Sequence, residues 1–186
     1  MKRFPTIQTT RLTLRGFRIE EASRVQKLAG NPAVAKTTQH IPHPYLDGMA
    51  ERWISTHLKQ FYHQEGITFA IEERESGELI GAIGLEFNAS QKRGTLGYWI
   101  GTQFWGKGFC TEAAKAVIEY GFTEMNCHKI EANHMKENRA SGRVMEKCGM
   151  KHEGSLADHT LKSGRFHTTE FYGITKSQQG SGGNFG

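Results

Sequence analysis

Cysteine is scarce in this 186-residue chain: there are three, Cys110, Cys127 and Cys148, an odd and widely spaced set. That spacing excludes a disulfide framework and points to a reduced, cytoplasmic setting. Cys127-His128, His134 and Cys148 have neither CxxC nor HxxxH spacing, so no metal site is expected. Long apolar runs are also missing. Uncharged apolar stretches such as residues 81–85 fall far short of the roughly 20 residues a membrane helix needs. Lys2 and Arg3 are followed by Pro5, Gln8 and Arg11, which leaves no apolar core for a signal peptide. There is no internal repeat and no dense Lys/Arg stripe interleaved with aromatics. Neither a membrane nor a nucleic acid is therefore an expected partner, although the net charge is +5.

What is present is enough for one folded domain. Hydrophobic residues make up 37%, with 11 Phe, 5 Tyr and 3 Trp, which excludes a disordered chain. Residues 1–176 read as a single domain, and residues 177–186 as a flexible, Gly-rich tail. The charge is laid out unevenly. Residues 20–86 are net −4 and residues 92–186 net +4, a division that suits a cation in the middle and an anion in the C-terminal half.

Hydrophobic periodicity orders the elements. Residues 10–18 alternate as a strand, and Glu20-Glu21 opens a helix that stops at Gly30-Asn31-Pro32. Residues 31–46, with Pro32, Pro42 and Pro44, read as a shaped loop, and a helix over about 49–66 follows. Strands at 67–74, 79–87 and 95–101 form an antiparallel meander. A helix over 110–125, a strand over 128–134 and a short helix over 138–148 come next, then strands over 150–161 and 166–175. The helix at 110–125 should join parallel neighbours, because a crossover links parallel strands. The fold class is α+β, with a mixed, mostly antiparallel seven-stranded sheet flanked by about four helices.

The segment over 95–114, TLGYWIGTQFWGKGFCTEAA, reads as strand, Gly-rich loop and helix start. Gly106 and Gly108 let backbone N–H groups converge where the helix dipole is positive, which makes an anion nest. Gly101, Gly106 and Lys107 match the start of a nucleoside-triphosphate loop, but Gly108 stands where the metal-binding hydroxyl would be. The dinucleotide pattern fails at Thr111. The loop suits a phosphate that needs no metal ion.

Gln103-Phe104-Trp105-Gly106-Lys107-Gly108 resembles the pyrophosphate loop of the GNAT acyl-CoA N-acyltransferases. TTRLTLRGF at 9–17, LGYWIGTQFWGKGFCTEA at 96–113 and NRASGRVMEKCGMKHEG at 138–154 resemble its RimJ/RimL-like branch, the likeness covering about residues 6–175. The resemblance implies a GNAT fold splayed between the strands at 95–101 and 128–134. It implies acetyl-CoA as co-substrate, held by amides around Gln103, Trp105, Gly106, Lys107, Gly108, Phe109 and Cys110. Main chain of Tyr98, Trp99 and Ile100 would bond the pantetheine arm, with Asn138 and Ser141 beside it. The reaction implied is direct attack of a primary amine on the acetyl thioester. The acceptor would be a protein α-amine, such as that of a ribosomal protein, or a small molecule, and the enzyme a monomer or homodimer. A non-catalytic acyl-CoA-binding module is the competing reading.

The residues that would move protons are less marked. Thr95 and Val144/Met145 occupy positions where many relatives carry a Glu base and a Tyr acid. Ser141 is a candidate acid, or a polar residue bonding local backbone near a helix start. Glu86 is a candidate base, or a solvent-facing partner in strand alternation. Asp158 and His159 read as exposed edge-strand polarity, and His134 as structural. Cys110, at a helix N-terminus, is placed where a thiol pKa can fall.

Overall fold

A computed structural model of the chain describes residues 3–180. In order, it contains β1 (Ile7–Gln8), β2 (Leu12–Arg15), α1 (Ala22–Ala29), α2 (Pro32–Thr37), α3 (Met49–Tyr62), β3 (Gly66–Glu73), β4 (Leu79–Asn88) and β5 (Arg93–Ile100). It continues with α4 (Phe109–Thr123), β6 (Lys129–Met135), α5 (Arg139–Lys147), β7 (Lys151–Lys162), β8 (Arg165–Thr175) and α6 (Lys176–Gly180).

The strands form an eight-stranded sheet in the order β1-β2-β3-β4-β5-β6-β8-β7. Only β5 and β6 run parallel, joined by the α4 crossover, and the other neighbours are antiparallel. Eight strands rather than seven result because Ile7 and Gln8 pair with Leu14 and Thr13 as a short added edge. The loop expected at 31–46 is helical at its start. Asn31 caps α2 by accepting the Ala33 N–H at 2.9 Å, and Pro32 sits in the first helical turn. Asn-Pro there is a helix start and not only a stop, since proline's fixed φ suits that position. The stretch read as a tail begins with the α6 turn, and residues 181–186 lie outside the described residues.

Helices cover both faces of the sheet. One face packs α4 and α5 through Phe109, Val117, Ile118, Phe122 and Met145 against Leu85, Leu96, Ile130 and Tyr172. On the other, α1 and α3 pack through Val25, Ala29, Ala50 and Ile54 against Ala70 and Leu79. Burial of these side chains supplies the main driving force, about 1.5–3 kcal/mol for each large one. Polar contacts tie the N-terminal segment to α4: Thr9 Oγ1 and the Arg11 N–H both donate to Glu112 Oε1 at 2.7 Å. Arg11 Nε donates to Glu112 Oε2 at 2.7 Å, and its Nη1 to the Lys107 carbonyl at 2.9 Å. Burial works against the Glu112 carboxylate, but these donors hold its pKa below the ordinary value. The brace fixes the loop that precedes α4.

The feature that matters for function is where β5 and β6 part. They pair only at Arg93–Lys129, Gly94–Ile130 and Thr95–Glu131. β5 then runs on to Ile100 and β6 to Met135, with β6 held by β8 instead. A gap opens in the sheet between them.

Candidate active site

The main chain of β5 is oriented by its pairing with β4. The Gly101 N–H donates to Ile80 O at 2.9 Å, and Gly81 is opposite Ile100. Alternation of the antiparallel ladder turns the N–H and C=O groups of Tyr98 and Ile100 away from β4 and into the gap. The indole of Trp105 donates to Ile100 O at 2.7 Å and occupies that carbonyl. Tyr98 N–H and C=O and Ile100 N–H are left for an amide-rich chain.

At the end of the gap, residues 102–104 make a short 3-10 turn and the loop enters α4. Gly106 (φ +75°) and Gly108 (φ +82°) are left-handed, a conformation that costs other residues about 1–2 kcal/mol. Among the described residues the amides of Gly106, Lys107, Gly108, Phe109 and Cys110 donate to no acceptor. They converge at the positive end of a 15-residue helix. Phe104 and Phe109 anchor this loop in the core, while Gln103, Trp105, Lys107 and both glycines are exposed. Lys107 Nζ lies 5.5 Å over the Phe104 ring, and the Arg11 guanidinium 4.6 Å over Phe109.

Ser141 is buried in the first turn of α5. Its Oγ lies 2.8 Å from the Tyr98 hydroxyl, which also donates to the Ser141 carbonyl at 3.2 Å. A carbonyl only accepts, so the Tyr98 proton goes there and Ser141 Oγ donates to Tyr98. Burial, and less so the neighbouring Cys110, push the Tyr98 pKa well above its ordinary value. The hydroxyl keeps its proton. Tyr98 was expected to serve through main chain alone. Nothing in the sequence signals that its side chain reaches a residue 43 positions away.

Asn138 is engaged on both sides of its amide. Its Oδ1 accepts the Ser141 N–H at 3.2 Å as the α5 cap, and its Nδ2 donates to Thr37 O at 2.9 Å, tying α5 to the end of α2. Cys110 does not have the lowered pKa its helix-terminal place suggested. Burial pushes its thiol far up, with Cys148 adding to the effect, because desolvation of a thiolate outweighs the helix dipole here. His134 is buried and stacks on Tyr172 with ring centroids 5.6 Å apart. Its Nδ1–H donates to Met135 O at 2.8 Å. Asp158 and His159 lie on the exposed β7 edge strand, away from the gap.

One cavity of about 740 Å³ joins the two faces of the sheet through the gap. Cys110, Ser141 and Val144 line it from the α4–α5 face, and Tyr45, Met49, Trp53 and Trp99 from the α1–α3 face. Glu86 is exposed on that second face opposite Thr95, and also lines the cavity. The two catalytic candidates, Ser141 and Glu86, thus reach one space from opposite sides. Among the described residues no group of three or more His, Cys, Asp or Glu side chains is placed to hold a metal. No helix of the described chain is long and apolar enough to cross a membrane.

Comparison with known proteins gives consistent results. Residues 11–151 match the model of the acetyltransferase (GNAT) domain. The chain is 30% identical over 179 residues to the N-acetyltransferase YoaA of Bacillus subtilis, covering 95% of this chain and 99% of that protein. It is 31% identical over 112 residues to the [ribosomal protein uS5]-alanine N-acetyltransferase of Escherichia coli, covering 56% of each. The structure of RimL, a ribosomal L7/L12 α-N-protein acetyltransferase in complex with coenzyme A, superposes with a TM-score of 0.84. It covers 92% of this chain and 98% of that one at 15% identity, a likeness of fold.

Proposed function

The chain belongs to the GNAT acetyltransferase family, and from that premise we propose that it transfers the acetyl group of acetyl-CoA to a primary amine by direct attack. The observation that carries this is the single cavity through the β5–β6 gap, with an amide nest at one end and a carboxylate on the opposite face. Acetyl-CoA supplies an activated acyl carbon: the amine nitrogen bonds to it, and the carbon–sulfur bond breaks.

The chain's own groups account for the rest. The free amides of Gly106, Lys107, Gly108, Phe109 and Cys110 suit a pyrophosphate without metal, and Gln103 and Lys107 stand at its rim. Tyr98 and Ile100 offer main-chain groups to the pantetheine amides, and a strand N–H beside the thioester steadies charge growing on its oxygen. Trp99 lies on the amine side, while Trp105 ties the loop to the end of β5 through the Ile100 carbonyl. Glu86 holds the ammonium and takes its proton, directly or through water. The Ser141–Tyr98 hydroxyl pair gives a proton to the departing sulfur, Ser141 Oγ turning its hydrogen from Tyr98 to the thiolate and regaining one from water.

A protein N-terminal α-amine is the first candidate acceptor, supported by the likeness to the uS5-alanine N-acetyltransferase. A small-molecule amine is favoured by the walled form of the amine side. There Lys162 donates to the Gln39 and Ile41 carbonyls and pins the 38–42 loop beside the cavity. Release of free coenzyme A thiol, measured over N-terminal peptides and small amines, tests the reading. Turnover with at least one class is expected. Coenzyme A binding with no turnover for any amine would reduce the protein to a binding module, and failure to bind would end the proposal.

A further inference from the structure

Gly84 and Gly97 face each other across β4 and β5 on the α1–α3 side of the sheet. They lie between the Ala82–Trp99 pair and the Glu86–Thr95 pair on that same face. The two glycines have different reasons to be there. A Cβ on Gly84 would come 2.6 Å from Ile67 O and 3.0 Å from Thr68 Oγ1, so packing requires glycine. A Cβ on Gly97 would meet nothing within 4 Å, and the residue has ordinary strand backbone. Neither sterics nor conformation asks for glycine at 97, yet its empty side-chain position opens into the cavity.

The walls around that space carry aromatic rings and few charged groups, with Gln39, His40 and Thr68 as polar neighbours. Trp53 and Trp99 have ring centroids 6.3 Å apart at 50°, with Tyr45 and Met49 on the same side. Among the described residues lining the cavity, Glu86 is the sole carboxylate, and no Lys or Arg is present. The adjoining cleft beyond Glu86 adds one acid, Glu65, and one base, Arg93. Arg93 is itself paired with Glu131 at 3.1 Å.

We propose that the acceptor is a primary monoamine whose adjacent group is bulky, apolar or aromatic and uncharged, and that Gly97 sets the size of that group. This rests on the transferase reading of the same site. The ammonium sits on Glu86 beside the indole faces, which attract a cation. The apolar group lies on the bare strand over Gly97, against the tryptophan pair. A carboxylate next to the amine would face Glu86 with no Lys or Arg lining the cavity to pair it, and Lys162 beside it is engaged with the Gln39 and Ile41 carbonyls. The further ammonium groups of a polyamine would find no second carboxylate inside the cavity, Glu65 lying outside it in the adjoining cleft.

Initial rates are to be compared for 2-phenylethylamine, phenylalaninamide, phenylalanine and spermidine. Binding of 2-phenylethylamine to protein saturated with coenzyme A is measured by calorimetry in parallel. The expected result is kcat/KM for the first two amines about tenfold or more above the last two. Gly97→Val should raise KM for 2-phenylethylamine about fivefold or more while leaving KM for ethylamine and for acetyl-CoA within about twofold. Equal or better turnover of phenylalanine or spermidine overturns the proposal and leaves the transferase reading intact. So does an equal effect of Gly97→Val on both small amines. If 2-phenylethylamine binds but no amine is turned over, the ligand class stands and the transferase reading falls. No binding and no turnover of 2-phenylethylamine overturns the ligand class.

Discussion

Replacing Tyr98 by Phe removes one oxygen and keeps the ring. In the folded protein that oxygen accepts from Ser141 Oγ at 2.8 Å and donates to the Ser141 carbonyl at 3.2 Å. Ser141 is buried, so its hydroxyl would be left without a partner. The expected loss of stability is about 1–3 kcal/mol, read as a lower denaturation midpoint. The kinetic effect should be larger. If the pair protonates the departing thiolate, its loss should lower kcat by about 10²–10⁴-fold, equivalent to about 3–5.5 kcal/mol. KM for acetyl-CoA should change little, because the strand's main-chain groups remain. Ser141→Ala should act in the same direction. The double variant should fall no further than the worse single one, since two groups that work as a unit are not additive. The pH profile is a second check. An acid works in its protonated form, and burial pushes the Tyr98 pKa up. Turnover should therefore show no falling limb from this group below about pH 10. A Tyr98→Phe enzyme that keeps kcat within about threefold, or a double variant whose losses multiply, would refute the relay.

Two further outcomes follow from the same geometry. Gly106→Ala meets no neighbour, so it isolates the φ +75° requirement. It should weaken coenzyme A binding by about 5–30-fold in calorimetry, the equivalent of about 1–2 kcal/mol of left-handed strain. Unchanged affinity would argue against the loop as the anion site. His57, on α3 behind Trp53, is buried with both ring nitrogens unpartnered, and burial lowers its pKa to about 4 from 6.5. The unfolded chain takes up this proton sooner than the folded one. The His57 contribution is therefore fully present above pH 6.5 and is lost by about 3 kcal/mol as pH falls toward 4. His57→Leu should flatten that part of the stability profile. A chemical-denaturation series in which the slope persists in the variant would show another group to be responsible.

The loop half of the candidate site is legible along the chain because its geometry is local. The strand, the Gly106-x-Gly108 loop and the helix start are contiguous, and convergent amides need only that sequence and the left-handed glycines. Period-two and period-3.6 patterns placed the strands and long helices to within a few residues, because one buried face imposes the repeat. They failed at Asn31-Pro32, where the same dipeptide ends one helix and starts the next. They also failed at Ile7–Gln8, too short to show an alternation. Cys110 shows the limit for charge: the sequence shows the helix terminus beside it but not the burial that raises its pKa.

The amino-acid sequence by itself determined the family, the Gly106-x-Gly108 loop at a helix start and the order of the longer elements, since each rests on neighbouring residues or on a pattern repeated at short range. Only the tertiary structure decided what meets across the gap. Tyr98 reaches Ser141, Glu86 and Ser141 open on one cavity from opposite faces, and Gly97 is left bare while Gly84 is packed. Those relations depend on where β5 leaves β6: β5 stays paired with β4 and β6 with β8, so contacts between residues far apart in the chain place the gap.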